Sequence, residues 1–84
     1  MKLFLISQDE NQYYDTYDSA VVCAPDELTA QHMNPSSGQP MTPKEWTRLH
    51  SSWASEPDHV TVRYLGEATD GVEQGIVCAS FNAG

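Results

Sequence analysis

The chain has 84 residues and a formal net charge of -8, with 12 acidic side chains against 4 lysines and arginines. That length holds a single domain with a modest core, because so short a chain buries only about 60–65% of the surface its unfolded form exposes. The charge disfavours direct contact with DNA or RNA, whose phosphates need cations, and suits a basic protein surface instead.

Residues Lys2 to Ser7 read as a first strand of central character, with four consecutive apolar residues from Leu3 to Ile6. Four are too few for the apolar core of a signal peptide, about 7 to 15 residues. No stretch approaches the roughly 18 to 20 needed to cross a bilayer. The expectation is a cytoplasmic protein that does not engage membranes. Cys23 and Cys78 lie in apolar, strand-like runs, and both read as buried thiols that a reducing cytosol keeps unpaired.

Asp9-Glu10-Asn11-Gln12 is a polar turn, and Tyr17 to Ala24 reads as a second strand on the strength of Val21 and Val22. The two strands are expected to form an antiparallel hairpin, although the link between them is long for one. That link carries Tyr13, Tyr14, Asp15 and Thr16, and Asp18 follows just inside the strand.

Pro25-Asp26-Glu27 is a helix-start signature, placing proline in the first turn and carboxylates at the positive end of the helix dipole. The helix runs past Leu28, Gln31, His32 and Met33 until Asn34-Pro35 stops it. Its apolar face, Leu28 with Ala24 and Met33, is thin, so it must lie on a sheet. Residues 34–43 form a Pro-rich loop. Thr42-Pro43-Lys44-Glu45 then matches a capping box, and a second helix is expected from Pro43 to about Trp53. Trp46, Leu49 and Trp53 share one face of it: Trp46 and Leu49 are assigned to the core, and Trp53 is a candidate exposed contact.

After the turn at Glu56-Pro57-Asp58, His59 to Gly66 alternates as a strand, with Val60, Val62 and Tyr64 on one face and Thr61, Arg63 and Leu65 on the other. Thr69-Asp70-Gly71 turns toward a last strand, Gly75 to Phe81. Val21-Val22-Cys23-Ala24 is echoed by Ile76-Val77-Cys78-Ala79, and both read as central strands covered on both faces. The fold class is α+β: about four strands in an antiparallel or mixed sheet, order β-β-α-α-β-β, with one or two short helices packed on one face.

The residues that carry chemistry do not converge. His32, His50, His59, Cys23 and Cys78 lack the close spacing of a metal site. The cysteines lack an activating environment, no glycine-rich turn opens a helix to cradle phosphate, and the paired acids Asp15 and Asp18 sit in a polar stretch that would not raise a carboxyl pKa. No enzyme activity, metal or cofactor is expected. Recognition remains, and its candidate surface is Tyr13, Tyr14, Asp15, Tyr17 and Asp18, with Trp53 as an outlying member. Tyrosine supplies large contact area at low entropic cost.

The segments YDTYDSAVVCA, SWAS, VTVRYLGEA and GIVCASFNAG together resemble small uncharacterised accessory proteins of bacteriophages and prophages. That resemblance spans nearly the whole chain outside the Pro-rich loop. It implies a protein made in the bacterial host cytoplasm, among genes that include inhibitors of host defence such as anti-CRISPR proteins, and it brings no catalytic residues. Two functions follow as expectations. One is a protein that binds and inhibits a basic, nucleic-acid-binding immune factor of the host. The other is a homo-oligomeric module that sequesters a small signalling nucleotide, with Arg48 and Arg63 near its phosphates.

Overall fold

A computed structural model of the chain describes residues 1–9, 15–49 and 53–82. Strand β1 (Lys2–Ser7) and strand β2 (Thr16–Ala24) come first, then helices α1 (Glu27–Gln31) and α2 (Pro43–Leu49), and finally β3 (Thr61–Glu67) and β4 (Gly75–Asn82). A single 3-10 turn, Pro57–His59, precedes β3 and shortens the strand expected to begin at His59. The sheet order is β3-β1-β2-β4 and every neighbouring pair is antiparallel. The α+β class and the four strands are as the sequence indicates; the 3-10 turn is an addition to the expected order.

The side-chain period of a strand decides which face of β1 and β2 goes inward. Phe4 lies opposite Val22 and Ile6 opposite Ala20, and all four are buried. Ile6 also faces Val62 on β3, which extends the same apolar row. Over it close Ala30, Met33, Met41, Trp46, Trp53, Ala54 and Val60. On the opposite face of β1 and β2, Leu3, Leu5 and Val21 are only half-buried and Cys23 is the buried exception, so the core lies mainly on one side.

The layer above the sheet is fixed by local hydrogen bonds. Asp26 caps α1, which leaves Pro25 before the helix and not in its first turn: the Asp26 carboxylate accepts the Thr29 amide at 2.7 Å. That backbone hydrogen bond holds the Asp26 carboxyl below its ordinary pKa. Folding therefore favours the charged form, and the contribution is present at neutral pH and lost as pH falls through the lowered value. The helix is shorter than expected, and its buried residue is Ala30. Leu28, expected on the apolar face, is 66% exposed, because in so short a helix only the residue directly above the sheet goes under. At α2 the capping box forms as read: the Glu45 amide donates to Thr42 Oγ1 at 3.3 Å and the Thr42 amide to Glu45 Oε1 at 3.5 Å.

Trp53 corrects the expectation of an exposed contact. It lies beyond the end of α2 rather than on its face, and it is completely buried. It therefore belongs to the core beside Trp46, and neither indole Nε1 has an acceptor among the described residues.

The Pro-rich loop is tied down rather than loose. The Asn34 amide donates to Gln39 O at 2.9 Å, the Gly38 amide to Asn34 O at 2.8 Å, and Asn34 Oδ1 accepts the Ser36 amide at 2.7 Å. Gly38 has φ +75, and a Cβ there would stand 2.9 Å from the Ile76 backbone nitrogen. The loop thus presses its glycine against the start of β4.

Strand β4 corrects two further expectations. It is an edge strand, not a central one, and Cys78 is exposed while Cys23 is buried. The similar tetrapeptides reflect adjacent strands rather than equal burial: Val21 pairs with Cys78 and Val22 with Ile76. Strands β3 and β4 occupy opposite edges, so residues 68–74 must cross the ends of β1 and β2. The Ala68 amide donates to Met1 O at 3.0 Å and Cys23 Sγ to Val72 O at 3.9 Å along the way.

Two substitutions test this packing by urea unfolding. Trp53→Ala is expected to cost about 3–5 kcal/mol; a cost near that of a surface change would contradict its place in the core. Gly38→Ala is expected to cost about 1–3 kcal/mol from backbone strain and the approach to Ile76, and an unchanged stability would contradict the docked loop.

Candidate functional site: an acidic, aromatic corner

The site begins where β1 leaves the sheet and β2 enters it. The Gln8 side chain ties the two together, its Nε2 donating to Tyr17 O at 2.9 Å while its amide donates to Asp18 O at 3.2 Å. Asp15 turns the chain into β2 with φ 61, a left-handed conformation that aspartate tolerates better than most residues. Asp15 and Asp18 are exposed, as is Asp9 at the end of the described part of β1's exit.

A bulge sorts the side chains of this entry. Tyr17 pairs with Phe81 and Ser19 with Ser80, leaving Asp18 as the extra residue on β2. The bulge sends Tyr17 to the covered side, where it packs at the margin of the core. Asp18 goes toward Ser80, whose hydroxyl donates to Asp18 Oδ2 at 3.4 Å. The Tyr17 and Phe81 rings meet edge to face with centroids 4.7 Å apart, and Phe81 remains 45% exposed.

Of the residues expected to form a contact surface, the structure brings together Asp15, Tyr17 and Asp18. Tyr13 and Tyr14 lie outside the described residues, and Trp53 is in the core. Phe81 is the member that the sequence did not single out. It stands 64 residues from Tyr17, and only the pairing of β2 with β4 joins them. The echo between the VVCA and IVCA segments was the available signal for that pairing.

Concavities also lie elsewhere on the helical side. One, of about 440 Å³, runs between α1 and β3 over Val60 and Val62, rimmed by Asp26 and Glu27. Another, of about 380 Å³, is lined by His32, Met41, Pro43, Trp46, Ser55 and Pro57. In it the His32 and Trp46 rings stand edge to face at 6.5 Å. Among the described residues neither is lined by a lysine or arginine. Arg63 is exposed and, pairing with Leu5, belongs to the opposite face of the sheet from Trp46. Among the described residues no three His, Cys, Asp or Glu side chains come together as metal ligands, and no helix is long and apolar enough to cross a membrane.

No family model matches the chain, and neither a curated protein nor a solved structure matches it.

A double-mutant cycle on Tyr17→Ala and Phe81→Ala tests the geometry of the corner. The expected coupling is about 0.5–1.5 kcal/mol by chemical unfolding, the range for an edge-to-face pair. Additive losses would mean that the two rings do not meet.

Proposed function

We propose that the protein acts by binding another protein, and that its acidic corner docks on a basic surface of the kind that normally holds nucleic acid. The observation that carries this reading is the exposed edge of the Tyr17–Phe81 pair flanked by Asp15 and Asp18 in a chain of net charge -8. Aromatic rings supply desolvated contact area at the centre of an interface. Carboxylates around them steer a basic partner and repel competing acidic ones. Occupying such a surface excludes its nucleic acid, so binding is inhibition without chemistry. In the bacteriophage setting implied by the sequence resemblance, the partner is a nucleic-acid-binding immune factor of the host.

The 380 Å³ cleft favours a second reading, a ligand-binding module, through its aromatic wall and the buried Trp46 indole N–H, which has no acceptor among the described residues. A nucleotide fits it less well, because Arg63 belongs to the other side of the sheet.

Affinity capture from bacterial lysate separates these readings when the wild-type chain is compared with the Asp15→Asn/Asp18→Asn variant and with Tyr17→Ala. The expected result is a basic protein retained by wild type, released by rising salt or added duplex DNA, and retained at least tenfold less by the charge variant. Retention indifferent to both variants, or none at all, would overturn the proposal.

A further inference from the structure

Strand β4 is left bare in three directions at once. In a sheet covered on one side, burial alternates along a strand, yet Val77, Cys78, Ala79, Ser80 and Phe81 are all exposed in succession. Ala79 pairs with the buried Ala20 and so shares the covered face, yet it is itself exposed. Helix α1 packs on β1, β2 and β3, and Gly38 of the loop approaches β4 at Gly75 and Ile76, the start of the strand. The outer edge of β4 also carries the backbone groups that a sheet edge leaves unpaired.

The two edges of the sheet are unlike. Edge strand β3 carries Arg63 and Glu67, a bulge at Leu65, and a hydrogen bond from the Tyr64 hydroxyl to Glu67 Oε2 at 2.7 Å. Charges and bulges are the usual guards of an exposed edge. Strand β4, GIVCASFN, has no charged residue, whereas each of the other three strands has at least one. Its own extra residue, Val77, lies near its start; the second irregularity of the ladder is the extra Asp18 on β2, opposite Ser80 and Phe81, so β4 itself runs from Cys78 to Asn82 with no inserted residue.

We infer that β4 is a self-association edge, pairing antiparallel with β4 of a second copy to join two sheets into one of eight strands. The chemistry that fits an unpaired, uncharged edge is another strand, and self-pairing is isologous, so the same uncharged residues supply both sides. Charge selects this place on the chain. Two copies at -8 repel each other, and β4 is the strand along which they meet without setting acid against acid. Antiparallel pairing leaves the Asp15–Asp18 corner of each copy near opposite ends of the shared ribbon, roughly 25 Å apart for strands of this length. The dimer therefore presents two corners, and avidity follows if a partner offers two basic sites.

The test is the mass of the full chain by sedimentation equilibrium from low to high micromolar concentration, at low and high salt. A dimer is expected whose dissociation constant falls as salt rises, because screening removes the repulsion between copies. Docking on a basic partner responds to salt in the opposite sense, so failure of the dimer and failure of the proposed function are separately visible. Cys78→Asp and Val77→Asp, both at exposed positions, are each expected to raise the dissociation constant at least tenfold, with Leu65→Asp on the β3 edge as the matched control that does not. Circular dichroism establishes that each variant is folded. A monomer throughout, or a dimer that Leu65→Asp weakens as much as Cys78→Asp, would overturn the inference.

Discussion

Everything in this fold depends on one interaction: the inward face of β1 and β2 against a small layer of helix and loop. Phe4, Ile6, Ala20 and Val22 form an apolar floor, and Met33, Met41, Trp46, Trp53 and Val60 close it. A chain of this size has too little material to cover a four-stranded sheet on both sides. The layer is spent where burial is greatest, over the central pair, and it thins toward β4. The half-buried outer face, the exposed Cys78 and the bare edge of β4 all follow from that shortage.

The same constraint explains where recognition can sit. Strand β2 begins at the margin of the layer, where the bulge at Asp18 sends Tyr17 inward and the carboxylate outward. The corner therefore has an aromatic base, anchored on Phe81 and the core margin, and exposed charge around it. Gln8 braces both sides of the entry through its side chain and its amide. A contact surface built this way loses little entropy on binding, because the large ring is already held.

Elements with strong local chemistry were legible in the sequence. The capping box at Thr42 and Glu45 forms as read, and Val62 and Tyr64 share one face of β3 as the alternation indicates, with Val60 buried just before the strand and the exposed Tyr64 edge to face against Phe4 at 5.8 Å. What sequence could not carry was coverage. Leu28 looks like a core residue by type and spacing, yet Ala30 takes the place over the sheet. Trp53 continues a helical spacing on paper, but the helix ends at Leu49 and the indole reaches the core from beyond it. Strand β4 reads as central because its residues are apolar; its edge position is set by the crossing of residues 68–74, which no local pattern encodes. At the site, Asp15, Tyr17 and Asp18 were visible as a cluster, while Phe81 required the long-range pairing.

The central claim, that the covering layer ends short of β4, is tested most directly by backbone amide exchange measured residue by residue on the dilute chain. Amides of β1 and β2 that lie beneath the layer, such as those of Ile6 and Val22, are expected to exchange most slowly. Amides of β4 from Val77 onward are expected to exchange much faster, through local opening of an uncovered edge. Equal and strong protection across all four strands in the dilute chain would contradict the account, because β4 would then be covered by something the fold as described does not provide.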